Sequence, residues 1–185
     1  MSDEFSLRLR HPSTWSVCGP SFSGKTSLVI KLIKDRNKIF DKEIPHCIYC
    51  FKEWQPILQE LKEYDKSIIF TKDIEEADRL IKPNTLLILD DLLLQISGEY
   101  NKLVSQWFVV GSHHRLITIV SIAQSLFFKN IRLQAINTLY LCLLKSPKDI
   151  SIVYNLARQF CPGNGRYLID AYKKATEKPG GYLFF

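Results

Sequence analysis

The chain has 185 residues, 46% of them hydrophobic and 24% charged, with a formal net charge of +6. That balance excludes a disordered or low-complexity polypeptide and suits one domain, 1–185, with a packed core. The positive charge fits a polyanionic partner, either nucleotide or nucleic acid, without choosing between them.

Thr14–Cys18 is a short β-prone run, and it leads straight into Gly19-Pro20-Ser21-Phe22-Ser23-Gly24-Lys25-Thr26. This is G-x-x-x-x-G-K-T, the phosphate-binding P-loop. Its two glycines let the backbone wrap closely enough for N–H groups from Gly19 to Ser27, Pro20 excepted, to face phosphate oxygens. Lys25 brings a point charge to the β- and γ-phosphates, and the Thr26 hydroxyl can ligate Mg²⁺. Ser27-Leu28-Val29-Ile30-Lys31-Leu32-Ile33 continues with helical spacing, so a helix is expected over 25–36. A polyphosphate is favoured at such a helix N-terminus. The basic residues Lys31, Lys34, Arg36 and Lys38 read as the solvated end of that helix, where cations suit the dipole.

Cys47–Phe51 reads as the second strand and 55–63 as a helix. His46, Cys47 and Cys50 do not make a zinc site, because strand residues an odd number apart face opposite sides and no second ligand pair stands nearby. Ser67–Phe70 is a third strand, followed by a short acidic helix near 73–80. Thr85–Asp90 is then an apolar buried strand that delivers a carboxylate at its end, Leu86-Leu87-Ile88-Leu89-Asp90-Asp91. This is the Walker B pattern: Asp90 holds Mg²⁺ with Thr26, and Asp91 orients and deprotonates the attacking water.

Tyr100, Leu103, Val104, Trp107 and Phe108 mark an amphipathic helix over 99–110. His113 and His114 suit capping or packing. Leu116–Ala123 is the next strand, and Gln124 at its end is placed to touch the γ-phosphate or lytic water. Arg132 is the candidate for the added cation that stabilises phosphoryl-transfer charge, with Arg158 second. Asn137–Leu144 is a strand, helices follow near 151–159 and 165–176, and Gly181–Phe185 closes the chain as a strand. The alternation predicts an α/β fold with a largely parallel central sheet and helices on both faces, the P-loop NTPase of RecA/ASCE type, with its chemistry at the carboxyl ends of the strands.

The five cysteines, 18, 47, 50, 142 and 161, are odd in number and lie in or beside apolar runs. They read as reduced and mostly buried, in an intracellular protein. No signal-peptide pattern opens the chain, and no apolar run reaches the ~18 residues of a membrane span.

With these positions marked, the chain resembles the DNA-packaging ATPases of large DNA viruses and Polinton-like elements, in the FtsK–HerA superfamily. The matching stretches are GPSFSGKT, Glu53-Trp54-Gln55, LLILDD, GSHHRLITIVSIAQSLF, the spacing of Arg132, Asn137 and Tyr140, LLKSPKD with LARQF, and Ala175-Thr176 with Pro179-Gly180-Gly181-Tyr182-Leu183. The resemblance implies a homo-oligomeric ring that hydrolyses ATP with Mg²⁺ and moves double-stranded DNA into a capsid, meeting a portal or vertex protein in an infected cell. It implies Gln124 as the polar residue after Walker B and Arg132 as a finger reaching a neighbour's site. Asp91 departs from the glutamate common at its position. Alternatives are another P-loop motor such as a helicase, a small-molecule kinase, and a non-catalytic nucleotide switch. The region that would form a kinase lid carries little arginine, and the Asn-Lys-x-Asp guanine motif of GTPases is absent.

Overall fold

The computed structural model describes residues 8–92, 99–124, 136–147 and 150–185. Seven strands form one sheet: β1 (Thr14–Cys18), β2 (His46–Phe51), β3 (Ile69–Thr71), β4 (Thr85–Asp90), β5 (Ile117–Ala123), β6 (Tyr140–Leu144) and β7 (Tyr182–Phe184). Their spatial order is β3-β2-β4-β5-β1-β6-β7. The first six run parallel, and β7 returns antiparallel to β6 through Cys142↔Phe184 and Leu144↔Tyr182. Parallel strands need crossovers and are buried on both faces, which is why they read as unbroken apolar runs rather than alternating ones.

Residue parity assigns each side chain to a face. Trp15, Val17, Cys47, Tyr49, Leu86, Ile88, Val120, Ile122, Cys142 and Leu144 share one core with Val29, Ile30 and Ile33 of helix α1 (Lys25–Lys34). Helix α3 (Pro56–Tyr64) completes that layer with Leu58 and Leu61. The opposite parity, including Cys18, Ile48, Cys50, Leu87, Leu89, Ile119, Leu141 and Leu143, faces a second helical layer. That layer holds α4 (Ile74–Leu80), α5 (Glu99–Gln106), α6 (Ser151–Phe160) and α7 (Gly165–Ala175). Leu86 to Leu89 are fully buried, and each such side chain contributes about 1.5–3 kcal/mol of transfer free energy. Cys47 and Cys50 fall in different cores, as their odd spacing requires.

The expected elements are present, with shifts that have local causes. The helix over 25–36 stops at Lys34. Asp35 interrupts it with φ −100 and ψ 9, and the separate turn α2 (Arg36–Ile39) follows. Arg36 is therefore not a solvated cation. It is buried and donates to the carbonyls of Ile44 (2.9 Å) and Ile33 (3.0 Å) and to Asp65 Oδ2 (2.9 Å). A guanidinium has five fixed donors and can close three such gaps at once. α5 runs on through a π-helical turn, Trp107–Gly111, into Ser112–His114. The indole N–H of Trp107 donates to Asp78 on α4 (2.8 Å), fixing that turn against α4. His113 and His114 are exposed there, so neither packs. The strand expected from Asn137 begins at Tyr140, with the Leu139 N–H already bonded to the Thr14 carbonyl of β1 (2.9 Å). Among the described residues no helix is long and apolar enough to cross a membrane.

Candidate functional site

The glycine-rich loop leaves β1 and enters α1 at Gly24. Gly24 has φ 98, a left-handed conformation that glycine adopts without a Cβ penalty. Gly19 is required for a different reason: a Cβ there would meet Ser23 Oγ at 2.8 Å and Leu144 Cβ at 2.9 Å. Phe22 at the tip has φ 62 and a fully exposed ring. α1 carries neither a side-chain cap nor an acid in its first turn. The N–H groups of its first turn have no intrahelical carbonyl to bond, and the positive end of the dipole is left open. Ser23 Oγ is buried with no hydrogen-bond partner among the described residues. An uncapped N-terminus, a close-wrapped loop and an unsatisfied hydroxyl together fit an anionic, oxygen-rich ligand.

Lys25 is only 8% exposed and donates from Nζ to the carbonyls of Gly19 and Pro20, both at 2.8 Å. Burial lowers the pKa of its ammonium, and the charges of Asp91 and Asp90 oppose that shift. The charges of the two acids act on Lys25 because β5 lies between β1 and β4 and all three strands end together. Cys18 pairs with Ala123, and Asp90 pairs with Ile122. Backbone bonds tie the three ends: Gly19 N–H donates to Ala123 O (3.2 Å), and Asp91 N–H donates to Ile122 O (3.2 Å). Gln124, the next residue after β5, is exposed beside Gly19.

Asp90 is 4% exposed, and its Oδ2 accepts a 2.7 Å hydrogen bond from the Tyr49 hydroxyl. Burial raises its carboxyl pKa and Asp91 adds to the rise, against the Tyr49 bond and the Lys25 charge. The folded state therefore holds that proton more tightly than the unfolded chain does. The penalty is absent at low pH and grows as pH rises toward the folded pKa. Asp90→Asn should accordingly raise the melting temperature of the ligand-free protein at neutral pH. The rise is about 2–4 °C for each kcal/mol recovered, and the gap should close on acidification. Thermal unfolding of both proteins across pH checks this; an asparagine variant that melts no higher at neutral pH contradicts it.

Asp91 adopts φ 53 and is half-buried. Thr26 is half-buried and Ser27 exposed in the first turn of α1. A hydroxyl and a carboxylate are the oxygen donors that a small hard cation selects, so Thr26 and Asp90 fit Mg²⁺. Arg132 lies outside the described residues. Arg158 is exposed on α6 and donates to Asn155 in its own helix. The sequence reading missed Tyr49. Its signal was a polar-tipped aromatic two residues from the end of the strand beside the acid strand, in register with Ile88.

No protein-family model matches the chain, and no curated protein matches it by sequence. Solved structures do. The genome packaging NTPase B204 from Sulfolobus turreted icosahedral virus 2, in complex with sulfate, superposes with a TM-score of 0.63 at 11% identity, over 94% of this chain and 91% of that one. The fold is that of a P-loop ATPase. B204, the DNA-packaging ATPase from Sulfolobus turreted icosahedral virus, also gives 0.63, at 10% identity, over 96% and 93%. The cytoplasmic domain of EssC gives 0.56 at 14% identity over 78% of this chain, which spans only about a third (33%) of that protein. The virus 2 protein has also been solved with ATP-gammaS (TM-score 0.59, 10% identity, 94% and 92% covered). The likeness to these neighbours is one of fold, at low sequence identity.

Proposed function

We propose that the chain is an ATP-driven translocase of double-stranded DNA that packages a viral or virus-like genome. The observation that carries this is the placement of β5 between the loop strand and the acid strand. It brings the charges of Asp90 and Asp91 to bear on Lys25, with Gln124 at the end of the strand between, in a fold shared over nearly the full length of two packaging ATPases. In this reading the loop from Gly19 to Ser27 holds the triphosphate. Thr26 and Asp90 hold Mg²⁺, which when bound neutralises charge on the β- and γ-oxygens. Asp91 takes the proton of the attacking water, and Gln124 reads the γ-phosphate. The subunits form a ring in which Arg132 reaches a neighbour's site, working inside an infected cell against a capsid portal or vertex protein. DNA contact is through phosphates and therefore sensitive to salt.

The experiment is ATP hydrolysis with and without linear double-stranded DNA, with Lys25→Ala as the blank. Turnover that rises with DNA and falls back with added salt is the expected result. Strong turnover indifferent to DNA points to a metabolic P-loop enzyme instead. Nucleotide binding with no turnover above the blank points to a switch, and strand separation points to a helicase.

A further inference from the structure

Tyr49 is fully buried, and its ring packs in parallel-stacked fashion against Phe70 (5.8 Å between centroids, 29° between planes). The backbone around it is held by the β2–β4 ladder, with Tyr49 opposite Ile88 and Phe51 opposite Asp90. The phenol therefore leans two residue pairs along the sheet to reach the acid at the strand end. Burial, the charge of Asp90 and the hydrogen bond to it all raise the pKa of the hydroxyl, so it stays a donor at any physiological pH. Of Asp90's two oxygens, Oδ2 takes this bond, and Oδ1 accepts no hydrogen bond among the described residues.

From this geometry we infer that Tyr49 is a positioning residue for the divalent cation of the nucleotide site, acting through Asp90. Its hydroxyl occupies one carboxylate oxygen, sets the rotation of the carboxylate and leaves the other oxygen for the cation's shell. A buried aliphatic or phenylalanine would fill the same space but leave Oδ2 orphaned and the carboxylate free to turn. Partners of this kind, bonded to a metal-holding group rather than to the metal, typically change metal affinity by 10- to 100-fold when removed. The inference rests on the reading that Thr26 and Asp90 take Mg²⁺ with nucleotide, and needs nothing from DNA or from the ring.

The test is Mn²⁺ binding, followed by electron paramagnetic resonance in the presence of the non-hydrolysable nucleotide AMPPCP, for wild type and Tyr49→Phe. Nucleotide binding in EDTA serves as the control for an intact fold. The expected result is roughly 10- to 100-fold weaker Mn²⁺ binding in Tyr49→Phe, with EDTA binding retained. In an Asp90→Asn background the same replacement should add nothing, since its route is gone. Mn²⁺ affinity within twofold of wild type overturns the inference, as does a full additional loss on top of Asp90→Asn, which marks a general packing role. A second measurement does not depend on the variant folding. 3-Fluorotyrosine placed at position 49 should shift its ¹⁹F resonance when Mg²⁺ joins bound AMPPCP, and an unmoved resonance overturns the inference. A wild-type protein that binds no Mn²⁺ with nucleotide overturns the inference and the reading beneath it together. DNA-independent hydrolysis with the expected Mn²⁺ loss sinks only the translocase.

Discussion

Replacing Asp91 with asparagine should lower ATP turnover by roughly 10²- to 10⁴-fold, the range for removing a positioned general base, while nucleotide binding persists. The substitution is informative because of the backbone. Asp91 sits at φ 53, and its N–H is committed to Ile122 O at 3.2 Å. The left-handed region disfavours most residues but accepts asparagine as readily as aspartate. The change therefore removes a charge without moving the loop. It also removes a repulsion, since Asp91 is one of the groups that raise the pKa of Asp90. Metal binding by Asp90 should hold or improve as hydrolysis collapses. Single-turnover hydrolysis beside equilibrium binding of AMPPCP and Mg²⁺ separates the two effects. Turnover within threefold of wild type would move the base elsewhere.

Lys25→Ala should cost about 10²- to 10³-fold in turnover, the scale of losing one preorganised electrostatic contact to the developing charge. Binding should weaken as well. The ammonium is held by the Gly19 and Pro20 carbonyls, and truncation leaves both without that donor, Gly19 at a buried position and Pro20 at a half-buried one. The consequence for Asp90 is less obvious. Lys25 is the cation that lowers the pKa of the Asp90 carboxyl against burial. With it gone the carboxylate is harder to ionise, so residual Mg²⁺-dependent binding should fade at a higher pH than in wild type. Calorimetric titration of AMPPCP with Mg²⁺ from neutral to mildly acidic pH tests both points. A variant that binds and turns over normally would show that the loop does not grip the phosphates.

Local chemistry was enough to place most of the elements. β1 and β4 occupy Thr14–Cys18 and Thr85–Asp90, the ranges the apolar runs define. Buried parallel strands are nearly continuous in hydrophobicity, and the turn residues around them are polar or glycine. Boundaries moved where a side chain or backbone group is claimed from far away in sequence. The Leu139 N–H is taken by Thr14, and Arg36 turns inward to Asp65. Nothing in a window of ten residues reports such partners.

The candidate site divides along the same line. Gly19, Gly24, Lys25, Thr26, Asp90 and Asp91 are legible in sequence because each residue type answers a local demand: a close approach, a left-handed φ, a cation, a hydroxyl, a carboxylate at a strand end. The order of the strands is not local. Only the tertiary structure puts β5 between β1 and β4, so that the charges of both acids act on Lys25 and Gln124 stands beside Gly19. Only packing reveals that the Tyr49 hydroxyl belongs to Asp90, 41 residues further along the chain. Sequence determines what each residue can offer, since that is a property of its own atoms and its neighbours in the chain. The tertiary structure decides which offers meet, because burial and sheet order bring together groups whose separation along the chain carries no record of their contact.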